Sequence, residues 1–545
     1  MNLATQARPA LENRYPIIVV GGGINGVAIA RECARAGRRT LLVEEHDFGA
    51  GTTSRSTRMI HGGLRYLEHG EIGLVRESLR ARQRLLRQYP HLVHPVQFLL
   101  AMRPHSRRSA LAVRVGLWFY QRMGGKTVSG TPPELEKTRL EQWLDAGQRW
   151  SIFDFDDAQC EFPERLVAEW LTEAVQAGAV VRNHTRVLAI NVAHGKVLGA
   201  LLRDLFTGKE ERVEATWIIN ATGPWADRIC QRSSIRTSRP MVSGVRGSHI
   251  VLPRFAGAPT TALYTEASDG RPIFVIPWND QLLVGTTEVS DNADPRKAKP
   301  SADEVEYLLD SVKTLFPGVN LSATDIRYAF AGVRPLVFSP HRKPGAISRR
   351  HLLHDHAEDG AAHMISVIGG KLTTAAELAR ECVAKIGLPT RRAKAVALVS
   401  HEVTDPVLDQ WVLRIAEAGS ISENTARGIV EWHGKRSLDI ARMALSSAIL
   451  RAPLCQHTEH IVAEALDAFS NEHAMTLGDV LLRRVPVALG GCWTEACSRE
   501  AALRIGAAMG WSEEETAAEL EAVEEERTGF LHKPRTGVAL EAAAD

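Results

Sequence analysis

Residues 15–45 read YPIIVVGGGINGVAIARECARAGRRTLLVEE, and this stretch decides the fold of the chain. Ile17 to Val20 form a short continuous apolar run, as expected of a strand buried on both faces, and Gly21, Gly23 and Gly26 then supply the spacing G-x-G-x-x-G. Each glycine has its own role in such a turn. Gly21 turns the chain tightly, Gly23 lets backbone amides approach a pyrophosphate, and Gly26 lets the next helix pack on the strand. That alanine-rich helix presents its first amides and the positive end of its dipole to phosphates. Glu44 falls where a second strand ends, about twenty residues on, in position to accept hydrogen bonds from a ribose. A glycine loop in an ordinary turn is the alternative reading. Strand, helix, second strand and acid in one register point instead to a dinucleotide-binding βαβ unit.

At 545 residues the chain is too long for one core and implies roughly two or three domains. Its formal net charge of +2 lacks the skew of a dedicated nucleic-acid binder. Seven cysteines, an odd number without a C-x-x-C pair, fit a reduced cytoplasmic protein with no disulfide frame or zinc site, and no metal is expected. The opening MNLATQARPALENR lacks the apolar core of a secretory signal. No run reaches the about eighteen apolar residues of a spanning helix, which leaves attachment to a membrane surface open.

After Glu44 come a polar, glycine-rich segment, HDFGAGTTSRSTRMIHGGLRYLEHG, and a charged helix over 76–88. Leu111, Val115, Trp118 and Phe119 then recur at helical spacing among Arg103, Arg107, Arg108, Arg114 and Arg122. Such a stretch suits an anionic membrane surface, or equally a helix packed on its own domain with solvated arginines. A strand over 212–220 runs into Ala221, Thr222 and Gly223; another over 364–368 runs into Gly369, Gly370, Lys371, Leu372, Thr373 and a helix. Strands ending in glycine turns form the ligand edge of open α/β sheets. Between them SHIVLP, RPIFVIPW and QLLVGTTEV read as a separate, mainly antiparallel sheet. Beyond residue 389 the chain turns helical, with one charge run, EAVEEER, expected on a solvated face.

The expected fold is therefore α/β. A discontinuous Rossmann-like cofactor domain (15–95, 161–235, 346–388) carries an insertion at 96–160 and an antiparallel substrate domain at 236–345, and a helical C-terminal domain spans 389–545. A βαβ unit alone admits NAD or FAD. A second glycine turn opening a helix at Thr373 favours a flavin, because its positive end suits the electron-rich edge of a reduced ring. Arg65 beside Tyr66, then Arg334, Arg349 and Lys371, are cations next to these turns, and together they favour an anionic substrate.

GGGINGVAIA, SRSTRMIHGGLRYLEHG, INATGPWAD, GSHIVLP, FVIPW, VGTTEV, AGVRPL and ISVIGGKLTTAAELA, in this order, resemble the corresponding segments of the FAD-dependent glycerol-3-phosphate dehydrogenases. The likeness runs from about residue 15 to residue 385, and more loosely through LGDVLLRR near Arg483. It implies that Gly21, Gly23, Ile24, Asn25, Gly26, Glu44, Thr53, Ser54, Ser56, His61, Gly62, Gly63, Leu64, Ala221, Thr222, Gly223, Gly370, Leu372 and Thr373 contact FAD. It also implies that Arg65, Tyr66, Arg334, Arg349 and Lys371 surround glycerol 3-phosphate. Arg58 and Arg246 stand where many relatives carry lysine, and Val485 where threonine is common.

The resemblance implies hydride transfer from C2 of glycerol 3-phosphate to flavin N5, with electrons passed on to a membrane quinone. Such a step needs a cation at the developing carbonyl oxygen, for which Arg334 and Lys371 are candidates, and a base, for which His61 and His249 are candidates. Expected partners are glycerol 3-phosphate, a quinone and an anionic membrane surface on the cytoplasmic face of the inner membrane, with a homodimer admitted. Rival readings are an oxygen-using glycerol-3-phosphate oxidase, a flavin amine oxidase and a non-catalytic flavoprotein.

Overall fold

The computed structural model describes residues 10–104, 106, 108–124, 133–389 and 405–532. The first apolar run forms the strand Arg14–Val20 inside an eight-stranded sheet. Thr40–Val43 and then Val180–Arg182 extend the sheet on one side of it, and Glu210–Asn220, Met364–Ile368 and Leu352–Asp355 on the other. All of these run parallel except the last. Because side chains alternate along a strand, Ile17 and Val19 face a layer of helices, Ile24–Arg35, Pro163–Gln176 and Ala375–Lys385. Ile18 and Val20 face the hairpin of Thr185–Ala193 and Lys196–Asp204, with the helix Ala226–Arg232. Both faces are covered, which is why the run has no polar member. The strand ends before Gly21, Ala221 and Gly369 come to one edge of the sheet.

A second, nine-stranded sheet reaches further along the chain than the expected span 236–345. Its centre is the long pair Val242–Pro253 and Tyr328–Val337, joined by Gln281–Gly285, Pro272–Trp278 and Ala262–Glu266. It then takes in His94–Met102, Ser151–Gln159 and Met59–Ile60, so parts of 15–95 and 96–160 belong to it. The His94–Met102 strand pairs in parallel with Ala262–Glu266, the one departure from antiparallel order among the described pairs. Its run FLLAM shows no polar alternation because both faces are buried. Leu99 and Ala101 pack toward the helix Ala302–Leu315; Phe98, Leu100 and Met102 pack toward the helices Ile72–Gln88 and Ala110–Gly124.

The C-terminal helices from Glu423–His433 to Glu513–Thr528 share a core with Val251, Trp278, Leu283, Tyr328 and Phe330 of the second sheet, and Asp405–Gly419 packs in a smaller cluster of its own with Ala426, Val430 and Ala441. The EAVEEER run is not simply solvated as expected. Val523 is buried, Glu526 pairs with Arg483, and Glu524 with Arg527 at 2.9 Å.

The helix Ala110–Gly124 buries Leu117 and Tyr120 and leaves Leu111, Val115, Trp118 and Phe119 exposed along one face, at 47–70 %. The arginines around it are less free than expected. Arg108 is held by Glu68 and Glu266, and Arg114 lies 5.8 Å from the Phe153 ring centre. Arg107 lies outside the described residues.

Candidate active site

The glycine turn sits where the parallel strands end. A Cβ on Gly26 would lie 1.8 Å from the Gly21 carbonyl oxygen, so only glycine lets the helix approach the turn. A Cβ on Gly23 would meet only the Thr53 hydroxyl, at 3.4 Å. The space beside Gly23 is thus open to a ligand, within reach of the helix N-terminus. Thr53 Oγ1 also accepts from the Ile24 N–H at 3.1 Å, tying the turn to the next loop. Glu44 accepts from the amides of Gly22 at 2.5 Å and His46 at 2.9 Å. Burial raises its pKa, and these two bonds oppose the rise.

From Glu44 a cavity of about 1220 Å³ runs to Arg334 and Arg349. Pockets for drug-sized ligands span about 300–1,000 Å³, so this one suits a dinucleotide together with a substrate. Five polar atoms on residues of its wall, Asn25 Oδ1, Arg58 Nε, Trp225 Nε1, His249 Nδ1 and Arg349 Nη1, are buried without a hydrogen-bond partner among the described residues. Buried polar groups without partners are costly, so the wall fits a polar ligand such as FAD. Gly370, with φ of +92°, packs against the first turn: a Cβ there would lie 2.5 Å from Asn25 Nδ2, which donates to the Gly369 carbonyl.

Two imidazole–cation pairs face the far end. His249 and Arg334 lie on the paired strands Val242–Pro253 and Tyr328–Val337. The Arg334 guanidinium lies across Gly247, where a Cβ would be 2.4 Å away, and donates to Thr286 Oγ1 at 3.0 Å and the Thr287 carbonyl at 3.3 Å. His249 Nε2 is 2.9 Å from Thr57 Oγ1. Burial, then Arg334 and Arg58, lower its pKa to about 3, so the ring is neutral. Lys371 and His61 form the second pair. Lys371 donates to Ser78 Oγ at 2.8 Å and lies 4.7 Å from the centre of the Tyr66 ring. Burial brings its pKa down to about 8 against the pull of Glu77 and Glu71. His61 is lowered by burial, with Lys371 and Arg82 adding to the shift and Asp157 opposing it. Arg349 donates to Glu288 at 2.7 Å, so the segment 286–288 holds both arginines.

Most of the residues expected to contact cofactor or substrate line this cavity, including Gly21, Gly23, Asn25, Glu44, Thr53, Ser56, His61, Thr222 and Thr373, and also Tyr66, His249, Arg334, Arg349 and Lys371. Three stand behind its wall. Gly26 packs on Gly21, Gly62 donates to the Tyr120 hydroxyl at 2.7 Å, and the Ser54 hydroxyl bonds back to the carbonyls of Ala50 and Gly51, the habit of serine in a helical turn. The Arg65 side chain lies outside the described residues.

Other residues of the site carry no local signal in the sequence. Thr286, Thr287 and Glu288 lie in VGTTEV, legible only as a strand end. Arg55, on the cavity wall, lies 3.6 Å from the centre of the Phe530 ring, and burial lowers its pKa to about 10. Arg58, also on the cavity wall, is occupied in a two-pronged pair with Glu164 at 3.0 and 3.2 Å, and Arg246 is held by Asp291 and Glu304.

Comparison with known proteins agrees with this geometry. Residues 16–376 match the model of the FAD dependent oxidoreductase family, and residues 361–516 that of the C-terminal domain of alpha-glycerophosphate oxidase. The chain is 35% identical to a glycerol-3-phosphate dehydrogenase of Synechocystis, over 88% of this chain and 90% of that one. It is 36% identical to a D-erythritol 1-phosphate dehydrogenase of Brucella abortus, over 67% of this chain and 72% of that one. Among solved structures, the glycerol-3-phosphate dehydrogenase of Bacillus halodurans complexed with FAD superimposes with a TM-score of 0.77 at 23% identity, covering 97% of each chain.

Proposed function

The chain belongs to the FAD-dependent glycerol-3-phosphate dehydrogenase family, and we propose that it oxidises sn-glycerol 3-phosphate to dihydroxyacetone phosphate and passes the electrons to a membrane quinone. The observation that carries this reading is the convergence of Arg334, Arg349 and Lys371, from three separate elements, on the end of the cavity away from Glu44. One carboxylate of the wall, Glu288, pairs with Arg349, so three cations gathered at one end of the cavity still favour an anionic substrate, and arginine matches phosphate geometry.

When bound, FAD supplies the acceptor for the hydride leaving C2. Arg349, with one buried nitrogen unbonded, takes the phosphate, and Lys371 adds a point charge to it. Arg334, held in one orientation by Thr286 and Thr287, stabilises charge growing on the C2 oxygen. His249 takes the hydroxyl proton on Nδ1, its unbonded nitrogen. Burial is the main cause of the depressed basicity of this imidazole and Arg334 the next, so an anion beside Arg334 relieves the part that Arg334 causes. His61 is the second candidate for the same role.

A quinone acceptor requires contact with a bilayer. No helix among the described residues is long and apolar enough to cross one. The exposed face of Leu111, Val115, Trp118 and Phe119 supports peripheral attachment, and the cytoplasmic face of the inner membrane is the surface we propose for it. Oxygen as acceptor is the second reading, favoured by the likeness of residues 361–516 to an oxidase domain.

The test is the flavin spectrum under anaerobic conditions. Glycerol 3-phosphate should bleach it faster than D-erythritol 1-phosphate, and glycine should leave it unchanged; the reverse order would overturn the assignment. On readmission of an acceptor, quinone reduction should exceed hydrogen peroxide formation.

A further inference from the structure

We propose that His354, His356 and Asp359 form a binding site for a divalent transition metal of the zinc class, on the outermost hairpin of the cofactor sheet and outside the cavity. His354 lies near the end of the edge strand Leu352–Asp355, and His356 and Asp359 lie in the turn that leads back to Met364–Ile368. His354 Nε2 and His356 Nδ1 lie 2.7 and 2.8 Å from one and the same oxygen, Asp359 Oδ2, and the three donor atoms all lie within 4.8 Å of one another. Zinc bound at about 2.0–2.1 Å in a tetrahedron holds its ligand atoms roughly 3.3 Å apart. A parting of about half an ångström between each imidazole and the carboxylate therefore suits the ion.

The surroundings are those of a metal ligand set. The turn is fixed by its own backbone, since the amides of Asp359 and Ala361 both donate to the His356 carbonyl, at 3.1 and 2.9 Å. His356 is fully buried, and its other nitrogen, Nε2, is 2.7 Å from Ser366 Oγ, which accepts from Asn220 Nδ2 at 2.9 Å. A hydrogen bond on the nitrogen away from the metal fixes ring orientation in metal sites. The His354 side chain is 33% exposed, which gives an ion access and leaves a fourth position to water. Two imidazoles and one carboxylate suit zinc rather than magnesium or calcium, which take oxygen ligands.

Two other groups of imidazoles and carboxylates already hold cations of the protein. Arg483 and Arg484 fill the one at Asp47, His184 and Asp479, and Arg436 the one at His433, Asp467 and Glu472. Among the described residues no arginine or lysine pairs with His354, His356 or Asp359. The absence of cysteine pairs does not bear on a site made of nitrogen and oxygen. An ion here would also touch the cofactor sheet, because Asn220 Oδ1 accepts from the hydroxyl of Thr222, on the cavity wall, at 2.7 Å.

The test uses flavin-loaded protein stripped with a chelator and dialysed against micromolar zinc at neutral pH. One zinc per chain and a raised melting temperature are expected, with neither produced by magnesium or calcium. His354→Gln and Asp359→Asn should each weaken zinc binding by more than about tenfold while leaving flavin content unchanged. No zinc above background in the parent protein, equal binding of calcium, or full zinc retention in both variants would overturn the site.

Discussion

Arg484 and Asp47, 437 positions apart, form a two-pronged ion pair at 2.7 and 2.8 Å with both side chains wholly buried. Arg483 beside it reaches the same carboxylate at 2.5 Å, and also Asp479 at 3.1 Å and Glu526. Asp47 stands on the cavity wall just after Glu44, so the C-terminal helices grip the loop at the Glu44 end of the cavity. Val485, next to this pair of arginines, is buried in the apolar core of the domain.

Arg484→Met should therefore destabilise the protein by about 3–5 kcal/mol, because the Asp47 charge stays buried with fewer partners. Flavin should be released at lower urea than in the parent. Unfolding followed by backbone circular dichroism and by flavin fluorescence checks both. Asp47→Leu combined with Arg484→Met should regain part of the loss.

Gly23→Val and Gly26→Val should fail differently. At Gly23 a Cβ has room within the protein, so that variant should fold but purify without yellow flavin. At Gly26 a Cβ would strike the backbone at 1.8 Å, so that variant should melt earlier or not fold. The ratio of flavin to protein absorbance, read beside the melting curve, separates the outcomes.

Arg334→Lys should retain fold and FAD yet lower turnover by roughly a hundredfold or more, since an ammonium cannot make both contacts of the planar guanidinium at a developing charge. Single-turnover flavin reduction measures this directly. A near-normal rate would remove Arg334 from the reacting end.

The pH dependence should carry the mark of Lys371. Its pKa of about 8 means the ammonium is present below that pH and lost above it, so kcat/KM should fall as pH rises through about 8. A bound anion favours the charged form, so the corresponding fall in kcat should come at higher pH. Lys371→Met should abolish the limb in kcat/KM.

Membrane binding should depend on Trp118 and Phe119 more than on the arginines before them, because Arg108 is already paired with Glu68 and Glu266. The double change Trp118→Ser, Phe119→Ser should reduce sedimentation with anionic vesicles and lower quinone reduction. Reduction of a soluble dye should stay nearly intact. Unchanged sedimentation would move the anchor elsewhere in the chain.

The sequence by itself determined the cofactor half of this protein. The run from Ile17 to Glu44 combines a buried strand, a glycine turn and an acid at fixed offsets, and local sterics leave such a pattern one conformation. The same holds for the turns at Gly223 and Gly370, whose positive φ favours glycine, and for the helix after Thr374. Only the tertiary structure decided which segments join the second sheet, because strands buried on both faces, such as His94–Met102, lose the alternation that would mark their partners. It also gave Arg58 and Arg246, left without a role by the sequence, their partners Glu164, Asp291 and Glu304, while Arg334 and Arg349 line the cavity. An arginine in a string of letters has no partner, and whether it meets a substrate or a buried glutamate is fixed by elements more than a hundred residues away. The grip of Arg484 on Asp47 and the meeting of His354 with Asp359 were hidden for the same reason: each is a contact between side chains, and contacts exist only once the chain has folded.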